Sequence, residues 1–93
     1  MNVSEYRRRK SFYAVCSVGM FGEHIYAFEQ LTGICDIPEY HQITREEYET
    51  AEQWILQEDK VWEILSRPVF CDRNKGGRGD FDEEAVKNSP WGK

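Results

Sequence analysis

The sequence predicts an α+β fold: a small antiparallel sheet, built on a hairpin at about 11–29 plus one or two short strands, packed on one long amphipathic helix at about 44–67. Three observations carry that prediction. Residues 44–67, TREEYETAEQWILQEDKVWEILSR, place apolar groups at helical spacing behind a strong start signal. Two runs between residues 11 and 29 are rich in aromatic and β-branched residues and flank a glycine-bounded loop, the pattern of a hairpin. With 93 residues, the chain has room for one core and not for two.

Residues 1–10 are polar and end in Arg7, Arg8, Arg9 and Lys10. They read as a solvated basic arm that blunts a strand end. The mostly apolar stretch 12–22 behind them imitates a signal peptide, but its strand-forming aromatics and lack of a small-residue cleavage site argue against one. Residues 11–18 (SFYAVCSV) and 24–29 (HIYAFE) are the expected paired strands. Both carry apolar groups on both faces, so one face should meet the helix and the other should be partly covered or meet a partner. Their connection, residues 19–23, puts Met20 and Phe21 at a loop tip, where polar residues are the norm. Either the two fold back onto the core or they are displayed to another protein. Residues 31–43 form a connector in which 34–37 can add an edge strand.

The helix is expected to start at a capping box, Thr44 with Glu47, stapled by Ile43 and Tyr48. Glu46 and Glu47 also suit the positive end of the helix dipole. Tyr48, Ala51, Ile55, Trp62 and Leu65 recur in threes and fours, with Trp54 and Val61 beside them, and Pro68 supplies the stop. Such a helix would run roughly 33–35 Å. Its two tryptophans make it the expected core anchor, and Trp62→Ala is expected to cost about 3–5 kcal/mol. Glu58 interrupts the apolar seam. Either it reaches out to water as the helix loosens around residues 57–59, or it is a partly buried carboxylate of the kind that clusters at functional sites.

After the helix, residues 67–73 (RPVFCDR) read as another short strand. Residues 72–83 partly match a calcium loop, with Asp72, Asn74, Asp80 and Glu83 at loop positions 1, 3, 9 and 12 and Gly77 at position 6. Gly76 leaves position 5 without an oxygen, and Arg73, Lys75 and Arg78 add positive charge, so no calcium site is expected. Residues 82–88 can make one or two helical turns capped by Asp80 or Asp82, with Trp91 docking on the sheet from an otherwise loose end. Residues 74–93 as a whole read as a mobile acidic tail.

Composition narrows the function. Cys16, Cys35 and Cys71 are an odd number at wide spacing, which is no disulfide framework and suits a reducing cytoplasm. With His24 and His41 they lack the close spacing of a zinc site. No phosphate-cradling loop, nucleophile elbow or metalloprotease pair is present, so neither enzyme activity nor a cofactor is expected. No apolar run reaches membrane-spanning length. The net charge of −5 is uneven: residues 1–45 carry five basic and five acidic side chains, residues 46–93 seven and twelve. That balance argues against direct nucleic-acid binding and for a basic partner.

On the expected helix, Glu49, Glu52, Asp59 and Glu63 form an acidic stripe over ~21 Å with Leu56 in its middle. With Met20 and Phe21, these are the candidate partner-binding residues. The stripe loosely resembles the charge ladder of a nucleic acid. The reading is a non-enzymatic protein-binding module, a small acidic inhibitor or adaptor of a basic nucleic-acid-handling protein, of the kind phages and mobile elements encode against host defence. One alternative is a regulatory or subunit-like domain that self-associates, as a homodimer, through its sheet. Another is a metal- or small-ligand-binding domain using residues 72–83.

Overall fold

The computed structural model describes residues 6–13, 16–32, 37–72 and 81–92. Four strands follow one another: β1 (Tyr6–Tyr13), β2 (Cys16–Phe21), β3 (Ile25–Thr32) and β4 (Ile37–Ile43). A fifth, β5 (Val69–Asp72), returns after the helices. Each strand pairs antiparallel with its predecessor, so the spatial order β1-β2-β3-β4-β5 is the order of the chain. The sheet is thus larger than expected, with five strands rather than two to four. The basic run at residues 7–10 is not a free arm: its backbone lies within the edge strand β1.

The run 11–18, expected as one strand, is instead divided between the end of β1 and the start of β2, which pair with each other. Of the expected hairpin, residues 16–18 do pair with β3, and its turn falls later than the loop glycines suggested. Residues 22–24 make the turn, with Gly22 at a φ of 60°, a conformation that glycine adopts without strain. The last pair before it is Phe21 with Ile25. Met20 and Phe21 therefore sit in β2, and Phe21 is fully buried. Either glycine can turn the chain. The register that prevails is the one that buries Phe21, a burial worth about 1.5–3 kcal/mol.

Both sheet faces are covered by this chain. On one, Val18, Phe28 and Ile43 pack against Ala51, Trp54, Ile55 and Ile64 of the helical segment. On the other, Phe21, Ala27, Tyr40 and Cys71 pack with Val86 and with the half-buried Tyr6, Phe70 and Phe81. Phe70 owes its place to a bulge: Tyr40 faces Cys71 and His41 faces Val69, so Phe70 opposes no residue of β4. Across the middle of this second face runs a polar row. Ser17, Glu29 and Tyr40 are cross-strand neighbours. The buried Glu29 carboxylate accepts hydrogen bonds from Tyr40 Oη at 2.7 Å and Ser17 Oγ at 3.2 Å. Burial, followed by that bond to Glu29, pushes the Tyr40 hydroxyl well above the usual tyrosine range.

The single long helix does not form. Its start is as expected, with Glu47 N–H donating to Thr44 Oγ1 at 3.1 Å and Thr44 N–H to Glu47 Oε1 at 2.9 Å. Helix α1 (Arg45–Glu49) then ends at Thr50, whose hydroxyl bonds back to the Glu46 carbonyl at 2.8 Å. A short α2 (Ala51–Trp54) follows, and the chain is extended at Gln57, with ψ 110°, before α3 (Glu58–Leu65) begins. That one extended residue rotates the inward stripe. Val61, Ile64 and Leu65 face the core in α3, whereas continuous winding would have put Glu58 and Trp62 there. Glu58 becomes the exposed first residue of α3, and Trp62 is 63% exposed. Trp62 is therefore no core anchor; Trp54 alone holds that place, 7% exposed, its indole N–H donating to the Glu47 carbonyl at 3.0 Å.

Residues 81–92 pack on the rest of the chain rather than trail from it. Asp82 Oδ1 caps α4 (Glu83–Lys87), accepting from the N–H groups of Glu84 and Ala85. Gln42, buried in β4, donates to the Val86 carbonyl at 3.0 Å and accepts from the Ser89 hydroxyl. A short 3-10 turn (Pro90–Gly92) follows, and Trp91 lies 5.4 Å from the Arg67 guanidinium. A Cβ at Gly92 would collide with the Lys87 carbonyl, so close approach requires glycine there. The calcium-like loop and Cys35 lie outside the described residues, save for Asp72 and the stretch from Phe81 to Glu83. Cys16 and Cys71 are buried thiols outside any disulfide. Among the described residues no helix is long and apolar enough to cross a membrane, and no three metal-ligating side chains come together.

Candidate functional site

The break that turns Trp62 outward also exposes Leu56. In the turn between α2 and α3, Leu56 is 70% exposed. With Ile55, Glu58 and Val61 it lines a shallow depression of about 320 Å³. Trp62 adjoins this depression through Glu58, whose Oε1 accepts from the indole N–H at 3.3 Å. Two large apolar side chains thus stand in water beside a concavity, with exposed Glu52, Glu58 and Asp59 nearby along the chain. A scattered exposed leucine needs no explanation; an exposed tryptophan on the same short helical segment makes this surface the candidate site.

The acidic stripe is only partly assembled. Glu49, Glu52, Asp59 and Glu63 fall on three short helices rather than one straight face. Glu49 pairs with Arg45 at 3.1 Å. Glu63 turns to Arg67, and the pair of bonds it accepts from that guanidinium holds its carboxyl below the usual range. Glu52 lies in α2 and Asp59 in the first turn of α3, both exposed. Met20 is half-buried and Phe21 belongs to the core, so of the two readings of this pair the structure supports packing on the core for Phe21 rather than display to a partner.

Behind this surface lies an ion cluster that periodicity did not reveal. Arg67, 8% exposed, uses all of its N–H donors: two on Glu47, two on Glu63 and one on the Gln42 carbonyl, at 2.7–3.0 Å. Lys60 adds a 2.5 Å contact to Glu47 and a 3.7 Å contact to Glu63. The Arg67 carbonyl accepts from His41 Nδ1 at 2.9 Å, and burial pushes that buried imidazole below its ordinary pKa. One signal for part of this was present, the Glu63–Arg67 spacing of four. The partnership with Glu47 crosses twenty residues and leaves no local trace.

The cluster has a pH signature. Burial alone would raise the Glu47 carboxyl, but hydrogen bonds from Arg67, Lys60 and the Thr44 N–H together hold it down to about 2 from an ordinary 4.5. A depressed carboxylate contributes stability that is complete above the unfolded value and is lost as pH falls through the folded one. We therefore expect Glu47 to supply on the order of 3 kcal/mol at neutral pH, lost between about pH 4.5 and about pH 2. Urea melts across that window measure it, and Glu47→Gln should flatten the dependence. An equally steep loss in the Gln variant would assign the acid sensitivity elsewhere.

Compared with known proteins, the chain matches no family model, no curated sequence and no solved structure.

Proposed function

We propose that this protein is a non-enzymatic protein-binding module that docks on a basic partner through the Leu56–Trp62 surface, as a small inhibitor or adaptor of a nucleic-acid-handling protein. One observation carries the reading: Leu56 and Trp62 are 70% and 63% exposed on a folded chain that buries Ala51, Trp54, Ile55 and Ile64 of the same helical segment. Tryptophan is the side chain most enriched among residues that dominate interface energy. Glu52, Glu58 and Asp59 supply steering charge for a basic surface without making the contact tight by themselves. The charge-ladder version of the idea loses force with the straight helix it needed. What supports the broader version is an apolar anchor rimmed by acids. Self-association through the second sheet face is not favoured, because Phe81 and Val86 already fill it.

The test is retention of a partner from a lysate of the native host, with the partner identified by mass spectrometry and then purified. Leu56→Ser with Trp62→Ser should weaken its binding by about 2–4 kcal/mol while leaving the melting transition within about 0.5 kcal/mol of the parent. Glu52→Lys with Asp59→Lys should slow association and blunt its salt dependence. Glu63 is left untouched, since reversing it would set a lysine against Arg67. A folded Leu56/Trp62 double variant that binds as tightly as the parent refutes the reading.

A further inference from the structure

The depression beside Leu56 has a chemistry of its own. Glu58, Val61 and Trp62 belong to α3, where residues three and four apart share a face, and Leu56 stands just ahead of that helix. Ile55, Leu56 and Val61 make the wall apolar, and Glu58 is the one charged group among the described residues that line it. At about 320 Å³ it lies near the lower end of the ~300–1,000 Å³ range of small-ligand pockets. That is room for one long side chain rather than a whole organic ligand.

Different guests meet these residues on different terms. A purely apolar side chain would cover the Glu58 carboxylate without answering its charge, which is unfavourable. An anion would face Glu58, with Asp59 next to it in the chain, and be repelled. A cation is favoured, and the neighbouring cation of this chain is turned elsewhere: Lys60 is drawn to Glu47 and Glu63, at 2.5 and 3.7 Å. Glu58 Oε1 accepts from the Trp62 indole N–H at 3.3 Å. A carboxylate offers about four acceptor sites, so one such bond leaves it able to take a second donor group. The same bond holds the indole beside the carboxylate, so a guest that reaches Glu58 also lies against an exposed aromatic ring.

We infer that this depression seats an arginine side chain of the partner protein, its stem on Leu56 and Val61, its guanidinium forked onto Glu58 and stacked on the Trp62 indole. Arginine meets all three demands. Its stem is apolar, its donors form a planar fork that matches a carboxylate, and its flat, weakly hydrated cation stacks on aromatic faces. Lysine has the stem and the charge but neither the fork nor the plane. The inference rests on the protein-binding reading of this surface and adds the group that the partner must present to it.

The probe is the synthetic peptide acetyl-Gly-Leu-Arg-Leu-Gly amide, titrated into the isotopically labelled full chain and followed by NMR. Saturable shifts are expected at the amides of Leu56, Glu58 and Val61 and at the Trp62 indole N–H. Replacing the peptide's arginine by citrulline, which keeps the shape and removes the charge, should weaken binding about tenfold or more, and lysine should weaken it about threefold. Glu58→Gln keeps an acceptor for the indole and removes the charge from an exposed position. It should cost the arginine peptide the same factor and bring the arginine and citrulline peptides to equal affinity. No saturable shift at these positions, equal binding of the citrulline or lysine peptide by the parent, or an arginine preference that survives Glu58→Gln overturns the seat. The surface itself is judged by the Leu56/Trp62 double variant and the captured partner. If that variant loses the partner while no arginine preference exists, the surface stands and the seat falls; if it keeps the partner, both fall.

Discussion

Replacing Arg67 with alanine is expected to destabilise the fold by about 3–5 kcal/mol, close to the whole stability of a small domain. The reason is less the loss of the guanidinium than what it leaves behind. Glu47, whose side chain is 13% exposed, would keep its charge with only Lys60 and the Thr44 N–H to answer it. The Gln42 carbonyl would lose its donor, and Trp91 the cation it lies beside. Because the cluster ties β4, the capping box, α3 and the C-terminal turn together, the loss should be global. Arg67→Lys restores the charge without the planar fork and should recover only part of it. Adding Glu47→Gln to Arg67→Ala removes the orphaned charge, so the double variant should be more stable than the single. Denaturant melts of the set decide the matter; an Arg67→Ala protein within about 0.5 kcal/mol of the parent would show the cluster to be ornamental.

Phe21→Ala is expected to cost a similar amount, about 3–5 kcal/mol. Its ring lies 4.8 Å from Tyr6, 5.2 Å from Tyr40, 5.0 Å from Phe81 and 5.7 Å from Phe70. It is the aromatic centre on which the second sheet face and the C-terminal segment meet. The cavity left by truncation is walled by other rings held in place by the sheet, so little collapse can relieve it. Hydrogen exchange should report the damage first at α4, whose hold on the sheet runs through Phe81 and Val86. Parent-like stability in Phe21→Ala, with a severe loss in Trp62→Ala instead, would return both residues to the positions that periodicity alone assigned them.

That contrast marks how far the sequence could be read. The run 11–18 showed strand composition without showing that it divides between β1 and β2, whereas the Thr44 capping box, the strand after Pro68 and the Asp82-capped turn were legible because each rests on local chemistry. The hairpin register was not: two glycines could close it, and only the burial of Phe21 against residues sixty positions away in the chain chose between them. The helix misled for a related reason. Tyr48 to Leu65 has a consistent seam, and one discordant residue, Glu58, was the only local trace of the break. Glu58 and Trp62 share a stripe, so rotating the glutamate into water necessarily carried the tryptophan with it. Leu56 was legible as an apolar residue among acids, while the surface it shares with Trp62 required the break to exist. Arg67 was hidden most completely, since a buried cation announces itself only through partners that tertiary structure supplies.

The polar row of Ser17, Glu29 and Tyr40 has a consequence for how the sheet finds its alignment. A meander whose strands are apolar on both faces is poorly protected against sliding, because a shift by one residue exchanges one greasy surface for another. Here a slip of β3 would swing the Glu29 carboxylate to the helical side, into the layer held by Phe28 and Trp54. It would leave behind the hydroxyls of Ser17 and Tyr40 that now bond to it. A burial penalty of several kcal/mol for an unanswered carboxylate is larger than anything the apolar pattern could return. The three residues act as a proofreading device, making the misaligned sheets too unfavourable to persist while the correct one is still forming.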